Sequence, residues 1–411
     1  MLQHYKKINP QMTQIFIYEI GESCDSFSLI NLRSYVLKQS VAIKTETEFV
    51  LMTDVHRLSI KIMEMEEFEK PFRENEQGWL GSDCAFSLPL TDERVLWLFG
   101  DTFVAASESK DSLNREQSKI INSSIAIQKK RIITSKGALR FFWNMQKDQP
   151  QSFFQNHKLA GFLWPLSAAL VNGKIYVFAV RIVQTDIQSA FGFKQIGNEI
   201  LCIENPDDTP AAWRIRVSYL PFAETGVSFG AYARLYPPYL YLYGYRKETD
   251  DWQGPLNLII ARVTMDGSTD VADYKSWEYL NGENMTWSKD AKRLRPVVRH
   301  SRSELSVTYL EALKRYVFVA NHWKAPHPIL IRLSETPFGP FSEPRTIYCC
   351  PETEWDPDYF CYAAKAHPQM VTAKNELVIS YMVNSKTLHK CVRDMRIYYP
   401  RFIKAVIDGY E

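Results

Sequence analysis

Two aspartates, Asp83 and Asp101, are the residues of this 411-residue sequence whose type and spacing most clearly predict chemistry. They stand at the two ends of a segment with the pattern of a β-hairpin, DCAFSLPLTDERVLWLFGD, which has polar turn residues at its centre. Because the strands of a hairpin are antiparallel, its two ends meet, and we expect the carboxyl groups to lie within roughly 5–10 Å of each other. Carboxylates paired in this way cleave glycosidic bonds: one activates water or attacks the anomeric carbon, and an acid protonates the departing oxygen.

The hairpin that carries the two aspartates is one of five similar units. Each unit consists of a strand, a short turn and a second strand that is apolar on both faces, so we expect the second strand to be covered on both sides. The second unit turns at Asn172-Gly173, and Asn-Gly between apolar runs is the strongest short-range hairpin signal. The units recur at intervals of roughly 60 to 80 residues. They are Asp83 to Asp101, Trp164 to Arg181, Gly230 to Arg246, Glu304 to His322 and His367 to Asn384.

This repeat predicts the fold. Five β units that are each too small to bury their own faces indicate an all-β protein, a five-bladed β-propeller. A β-sandwich or a β-solenoid is the structural alternative. Residues 1–54 fall outside the repeat and are interpreted as a short N-terminal extension of unknown role, which leaves residues 55–411 as the propeller domain. We expect the strand-like stretch Leu58 to Met63 to pair with the last blade and so remove an exposed sheet edge.

The open ends of the five hairpins are predicted to surround one mouth of a central channel. Glu304 begins the fourth unit, and we expect its carboxyl to join Asp83 and Asp101 as a third catalytic acid. A carboxyl that is partly desolvated and close to other carboxylates keeps its proton to a higher pH. The other residues at these ends, with one later arginine, suit a polar and charge-balanced ligand such as a sugar chain. Those assigned to substrate binding are Trp164, Arg181, Tyr232, Arg246, His322, His367, Asn384 and Arg401.

Several of these residues also fit purely structural roles. Asp101 follows an apolar strand, where an aspartate commonly caps the backbone amides of a turn. Asp83 could cap the start of a strand, and Glu304 could pair with a neighbouring arginine on a solvated edge. His322 and His367 each stand alone in the sequence, and each also fits a hydrogen-bonded histidine of the core or of a loop. The catalytic hypothesis is favoured because acidic residues recur at one position of the repeat.

Composition excludes other classes of function. Lys and Arg total 49 against 47 for Asp and Glu, so the net charge of +2 argues against a nucleic-acid partner. No run approaches the 18 apolar residues of a membrane span, and the N-terminus lacks the apolar region of a secretory signal. We therefore expect a cytoplasmic location, or export by a route that needs no visible signal. The seven cysteines form no CxxC pair and are interpreted as reduced thiols, and no metal site or cofactor is predicted.

Several stretches resemble motifs of a propeller family known as domain of unknown function 4185 and of its near relative, domain of unknown function 5005. The resemblance covers about residues 55 to 405, and the motifs occur in the family's order. They are GSDCAFS at 81–87, LWLFGDT at 96–102, SETPFGPFS at 334–342, AKAHP at 364–368, SYMVNS at 380–385 and YPRF at 399–402.

The resemblance implies a fold, an activity and a pair of acids. Members of the family have been assigned as glycoside hydrolases, including endo-acting enzymes that cleave D-arabinan (glycoside hydrolase family 183), and the implied fold is that of five-bladed furanosidases and arabinanases. The two acidic residues of the family fall on Asp83 and Asp101 of this sequence. Cys84 stands where the family often carries glycine. Arabinan-cleaving members normally enter the secretory route, whereas no secretory signal is visible here.

Together, the residues and the resemblance predict a glycoside hydrolase that acts on a polysaccharide or glycoconjugate, with arabinofuranosyl linkages as the implied target. Asp83 and Asp101 form the predicted acid/base pair. We expect inversion at the anomeric carbon, because two short aspartate side chains leave room for a water molecule. The rival hypothesis is a non-catalytic propeller that binds a glycan or a protein partner, since propellers often serve as platforms.

Overall fold

The computed structural model describes residues 55, 57–91, 93–105, 114–129, 133, 137–185, 192–222, 225–249 and 254–409. The predicted N-terminal extension, residues 1–54, lies outside the described residues. Within the described ranges, 27 β-strands and two short α-helices account for the regular structure, apart from single 3₁₀ turns. The prediction of an all-β protein is therefore confirmed.

The N-terminal part of the described chain contains one helix and the first ten strands. In chain order these are β1 (Ser59–Glu64), α1 (Glu66–Arg73), β2 (Trp79–Ser82), β3 (Phe86–Pro89), β4 (Val95–Phe99), β5 (Thr102–Ala105), β6 (Ser118–Ile121), β7 (Ser124–Gln128), β8 (Leu139–Phe142), β9 (Asn144–Gln146) and β10 (Gln149–Gln151). Strands β3, β4, β7 and β8 form a four-stranded antiparallel sheet, the first sheet. A three-stranded sheet of β2, β5 and β6 and the hairpin of β9 and β10 accompany it.

The rest of the chain forms four further antiparallel sheets. The second contains β11 (Phe162–Val171), β12 (Lys174–Gln184), β13 (Phe193–Ile203) and β14 (Ile215–Leu220). The third contains β15 (Val227–Tyr236), β16 (Tyr239–Lys247), β17 (Leu256–Thr264), β18 (Glu278–Asn281), β19 (Thr286–Ser288) and β20 (Val298–Ser301). The fourth contains β21 (Leu305–Leu310), β22 (Arg315–Asn321), β23 (Ile329–Ser334) and β24 (Arg345–Tyr348). The fifth contains β25 (Tyr359–Ala366), β26 (Glu376–Ser385), β27 (Arg401–Asp408) and β1, with α2 (Leu388–Arg393) between β26 and β27.

Four of the five predicted hairpins open the first four sheets. In the second sheet, Asn172 and Gly173 have φ angles of 50° and 72°, the left-handed values that a two-residue hairpin turn requires. Val171 pairs with Lys174 on either side of that turn. The second strands are buried along both faces, as their apolar sequences predict; every residue of β4, for example, is buried. These four hairpins are confirmed.

The fifth hairpin is displaced from its predicted position. Its first strand is β25, which ends at Ala366, so His367 lies in the connection to β26 and not at the start of a strand. Pro368 follows His367 and opens a 3₁₀ turn. A proline has no backbone N–H to donate to a sheet, which explains why the His-Pro stretch ends the strand. The open end of this hairpin is therefore formed by residues near Tyr359.

The N-terminal strand closes the fifth sheet. Strand β1 pairs antiparallel with β27 from Ser59 opposite Asp408 to Glu64 opposite Ile403. The prediction that residues Leu58 to Met63 pair with the C-terminal unit is confirmed. One end of the described chain is thus fixed to the other, and β1 covers what would otherwise be the outer edge of β27.

The side chain of Lys365 on β25 contacts the first strands of the first three sheets. Its ammonium group donates to the backbone oxygens of Leu166 on β11, at 3.1 Å, and Ala231 on β15, at 2.8 Å. The same Nζ lies 3.6 Å from the centre of the Phe86 ring on β3. On β21, Ser306 accepts a hydrogen bond from the amide of Ala366. Burial lowers the pKa of Lys365 to about 7.

The redox state of two cysteines differs from the prediction of reduced thiols. Cys350 and Cys361 form a disulfide, so the interpretation of the cysteines as reduced thiols is wrong for this pair. The 3₁₀ turn at Pro351–Glu354 lies between the two cysteines and returns the chain to β25, which carries Cys361. The spacing of the cysteines in the sequence does not reveal this contact. Cys84, Cys202 and Cys391 are free thiols. Neither helix in the described part of the chain has the length and apolar character that a membrane crossing requires.

Candidate active site

Asp83 and Asp101 lie side by side at the open end of the first hairpin. The amide of Asp83 donates to the carbonyl of Asp101 at 2.7 Å, and the amide of Gly100 donates to the carbonyl of Asp83 at 2.8 Å. A Cβ added at Gly100 would lie 3.4 Å from Cβ of Asp83, which shows how closely the two segments pack. Both aspartate side chains are half-buried, so solvent still reaches them. The structure thus brings the two predicted acids together.

The surroundings of Asp83 favour its protonated form. Burial raises its pKa to about 7, and the negative charges of Asp101 and Glu304 act in the same direction. A hydrogen bond with the hydroxyl of Tyr362 and another from the thiol of Cys84, at 3.3 Å, oppose this shift only in part. Asp83 therefore holds a proton near neutral pH, as a general acid must.

The surroundings of Asp101 are different. Two N–H groups donate to its Oδ1: the indole of Trp164 at 2.6 Å and the amide of Asn122 at 3.0 Å. Burial raises the pKa of Asp101, and these two hydrogen bonds, which favour the carboxylate, offset that rise only in part. Asp101 thus carries two fixed N–H donors that favour its carboxylate, whereas burial and two neighbouring carboxylates raise the pKa of Asp83 to about 7. This division is what an acid and a base at one site require.

Glu304 lies at the same site, immediately before β21. Its Oε1 accepts a hydrogen bond from the hydroxyl of Ser303 at 2.6 Å, and its charge contributes to the raised pKa of Asp83. The predicted third carboxyl is therefore close enough to Asp83 to influence its ionisation.

Two of the predicted substrate-binding residues belong to this site. Trp164 binds Asp101 directly through its indole. Asn384 lies 3.4 Å from the hydroxyl of Tyr362 through Nδ2, and its Oδ1 accepts from the thiol of Cys391 at 2.7 Å. Trp164 thus contacts Asp101 directly, and Asn384 is linked to Asp83 through Tyr362.

Arg181 is not at the site, which corrects its predicted role. Its side chain is 1% exposed and forms an ion pair with Glu199, which is equally buried. Further donors bind the carbonyls of Leu159 and Ala160 at 3.3 and 3.1 Å. The guanidinium is enclosed because β12, which carries Arg181, lies between two neighbouring strands of the second sheet. Arg181 therefore stabilises the interior of the second sheet and is not accessible to a ligand.

Arg401 belongs to a separate group of buried charges, which also corrects its predicted role. Its Nη1 lies 3.1 Å from Glu352 and 3.7 Å from Glu69 on α1. Burial raises the pKa of Glu69 to about 7, with the positive charge of Arg401 opposing that shift. Arg401 therefore ties α1 to the fifth sheet.

His367 is a core histidine, the structural alternative considered for it. It has no exposed surface, and its two ring nitrogens lie 2.6 and 2.7 Å from the hydroxyls of Ser87 and Ser380. Burial and the charge of Lys365 lower its pKa to about 3. His367 follows β25 instead of beginning a strand and is fully buried, so its assignment to substrate binding is corrected.

The last three predicted substrate-binding residues form no hydrogen bond with Asp83, Asp101 or Glu304 among the described contacts. Tyr232 is 8% exposed, and its ring packs 5.8 Å from that of Tyr243. Arg246 is half-buried beside Leu294, and burial together with the charge of Arg295 lowers its pKa. His322 is half-buried in the segment after β22. Tyr232 is a packing residue, the binding role of Arg246 stays a prediction, and His322 lies on the Glu304 side of the site, because Leu305 pairs with Ala320.

Sequence reasoning missed Tyr362 and Asn122, which both form hydrogen bonds with the carboxyl groups of the acids. Tyr362 was overlooked because the first strand of the fifth hairpin was expected from His367 onwards, whereas β25 ends before His367 and carries Tyr362 near the open end of the hairpin. Asn122 lies between β6 and β7, a connection outside the repeated hairpin, where the sequence offers no signal.

The fold is shared with a solved protein. A candidate hydrolase from Bacteroides ovatus is similar over 84% of this chain and 90% of its own, with 18% identity and a TM-score of 0.65. Lower similarity extends to a family 117 glycoside hydrolase from Zobellia galactanivorans, with 10% identity, a TM-score of 0.43 and coverage of 86% and 92%. The catalytic domain of an α-L-arabinofuranosidase from Coprinopsis cinerea has 9% identity, a TM-score of 0.43 and coverage of 80% and 91%.

The sequence identifies the family. Residues 66–407 match the model of a domain of unknown function, DUF5005. The chain belongs to this family, which is one of the two that its motifs resemble. None of the curated proteins matches the sequence.

The raised pKa of Asp83 predicts a stability effect. The folded pKa of about 7 lies above the ordinary value of 3.8, so the folded state binds this proton more tightly than the unfolded state. Ionisation of Asp83 therefore costs stability, beginning near pH 4 and reaching its full extent above about pH 7. We expect Asp83→Asn to be about 1–2 kcal/mol more stable than the wild type at pH 8 and equal to it at pH 4, as measured by urea unfolding. Equal destabilisation at both pH values would contradict this account.

Proposed function

We propose that this protein is a glycoside hydrolase in which Asp83 is the general acid and Asp101 is the general base. The observation that carries the proposal is the unequal environment of the adjacent pair. Asp83 has a pKa of about 7, whereas Asp101 receives two N–H donors on one oxygen. A carboxyl that keeps its proton near neutral pH beside one whose carboxylate form is stabilised by two fixed donors can supply the acid and the base that cleave a glycosidic bond.

We also propose that the five sheets are the blades of a five-bladed propeller formed by residues 55–411. This is supported by the position of Lys365, which contacts the first strands of the first three sheets from the first strand of the fifth. In such an arrangement the open ends of the hairpins face one mouth. Asp83, Asp101 and Glu304 then lie at that mouth, where a polymeric substrate reaches them.

In the proposed reaction, Asp83 donates its proton to the departing glycosidic oxygen. Asp101 takes a proton from a water molecule, whose oxygen attacks the anomeric carbon from the opposite face, so the configuration inverts. Trp164 and Asn122 fix the orientation of Asp101, and Tyr362 fixes that of Asp83. Glu304 acts through its charge, which helps to keep Asp83 protonated until the bond breaks.

The proposed substrate is a polymer with arabinofuranosyl linkages, as the resemblance to D-arabinan-cleaving enzymes implies. The test is the release of reducing ends from a panel of arabinans and other furanoside polymers by the full-length protein. Release from a furanoside that stops in the Asp101→Asn variant supports the proposal. Binding of a glycan without any turnover by the wild type favours the non-catalytic alternative.

The proposed roles predict a bell-shaped dependence of kcat on pH. Asp83 must be protonated, and its pKa is about 7, so activity falls as the pH rises above about 7. Asp101 must be ionised, so activity also falls on the acid side. Initial rates between pH 4 and pH 9 measure both limbs. A rate that stays constant up to pH 9 would show that Asp83 is not the acid.

A further inference from the structure

A row of partly exposed rings leads away from Asp83 across the fifth and fourth sheets. We call Tyr362, Phe360, His327 and Trp323 the aromatic strip. Tyr362 shares a hydrogen bond with Asp83, and its ring centre lies 5.4 Å from that of Phe360. Phe360 in turn lies 6.3 Å from His327. All four side chains are half-buried, so each keeps ring surface in contact with solvent.

The outer end of the strip is built around Trp323. The ring of His300 lies 5.1 Å from it, and that of His322 lies 6.4 Å from it. His327 connects this end to the rest of the strip, because its Nδ1 donates to the carbonyl of His322 at 3.1 Å. No acceptor for the indole N–H of Trp323 is found within the described ranges, so this donor remains available to a ligand.

The backbone under the strip is held in an unusual conformation. His300 and His327 have φ angles of 57° and 64°, in the left-handed region that residues other than glycine seldom adopt. Such conformations cost free energy and are concentrated at ligand sites, where they aim particular side chains. Here one of these histidines, His300, lies beside Trp323, and the other, His327, lies beside Phe360.

A cation lies beside the strip. Arg302 is half-buried, and its Nη2 is 3.1 Å from the nearer ring nitrogen of His327. Burial and the charge of Arg302 lower the pKa of His327 to about 4, so this ring is neutral at physiological pH. Because its Nδ1 carries the proton that is donated to His322, the acceptor for the guanidinium is Nε2, 3.4 Å from the same Nη2. Among the described residues, no carboxylate reaches Arg302 at salt-bridge distance, which leaves further N–H groups to bind hydroxyls.

We propose that the aromatic strip binds a glycan chain that extends from the bond cleaved at Asp83 towards Trp323. Exposed rings with a few polar donors suit sugars, whose faces carry C–H groups while their edges carry hydroxyls. The inference rests on the proposed function, because the strip begins at the proposed acid. It adds a binding site for sugar units beyond the cleaved linkage. The affinity of the protein for its substrate should therefore increase with chain length.

The test measures binding without turnover. Calorimetry with the Asp83→Asn variant uses defined arabinofuranosyl oligosaccharides of two and eight units. We expect the octasaccharide to bind at least tenfold more tightly than the disaccharide. Adding Trp323→Ala should weaken octasaccharide binding by about 5- to 10-fold and disaccharide binding by less. Trp323→Phe, which keeps a ring, should recover most of the affinity and covers the case in which the alanine variant does not fold.

The control variant is Trp355→Ala. Trp355 is 44% exposed and stacks with Arg396 and Arg401, so its replacement by alanine removes a comparable ring outside the aromatic strip. We expect it to change octasaccharide binding by less than twofold. Equal effects of Trp323→Ala and Trp355→Ala, equal affinities for the two chain lengths, or no binding at all would overturn the inference. Tight, length-dependent binding with no cleavage by the wild type would instead overturn only the proposed function.

Discussion

Replacing Asp83 with asparagine is expected to lower the rate of glycoside hydrolysis by about 10²- to 10⁴-fold, the usual contribution of a general acid. The substitution keeps an oxygen that accepts from Tyr362 and Cys84 but removes the proton that the leaving group needs. Because these contacts hold the side chain in the wild type, the variant should stay folded and bind the substrate. The measurement is kcat on a cleaved furanoside at pH 6, where the wild-type acid is protonated.

Two further variants, one at the proposed base and one control, are compared with Asp83→Asn. Asp101→Asn should cause a loss of similar size, because the base is removed while Trp164 and Asn122 keep an acceptor. Asp207→Asn is the matched control, since this aspartate is 87% exposed and lies 3.9 Å from Arg94, away from the site. It should leave kcat unchanged. A rate for Asp83→Asn within a factor of three of the wild type would remove Asp83 from the mechanism.

Replacing Arg181 with methionine is expected to lower the free energy of unfolding by about 3–5 kcal/mol. Arg181 and Glu199 are each 1% exposed, so the substitution leaves a carboxylate buried without its partner. The carbonyls of Leu159 and Ala160 also lose their donors. Urea unfolding at pH 7 measures the change.

The double variant Arg181→Met with Glu199→Met separates the two contributions. Removing both charges should restore a large part of the lost stability, because the unpaired carboxylate is the main cost. Arg246→Met, in contrast, should cost less than about 1 kcal/mol, because Arg246 is only half-buried and has no carboxylate partner among its described contacts. A small effect of Arg181→Met, with weakened glycan binding, would restore the arginine to a ligand-binding role.

Local sequence signals were sufficient for much of the fold. Asn172-Gly173 defines a turn because both positions need positive φ, and the apolar second strands indicate burial on both faces. The pairing of Asp83 with Asp101 follows from the same reasoning, since the two ends of one short hairpin have to meet. Predictions of this kind depend on neighbouring residues alone, and the structure agrees with them.

The incorrect predictions of ligand-binding residues have a different cause. Arg181, Arg401 and His367 were assigned to the ligand because they stand near strand ends or in family motifs, but their partners come from distant segments. Arg401 finds Glu69 and Glu352, more than 300 and nearly 50 residues away. Sequence spacing carries no information on such contacts. Tyr362 was missed for a local reason: the first strand of the fifth hairpin was expected to begin at His367, whereas the strand lies before that residue, at Tyr359–Ala366.

The central claim is that Asp83 and Asp101 together cleave a glycosidic bond. The most direct test is product analysis by mass spectrometry after incubating an arabinofuranosyl octasaccharide with the wild type, Asp83→Asn and Asp101→Asn. The account predicts shorter oligosaccharides with new reducing ends for the wild type and intact octasaccharide for both variants. Cleavage by all three proteins at equal rates, or an octasaccharide that the wild type binds but leaves intact, would contradict it.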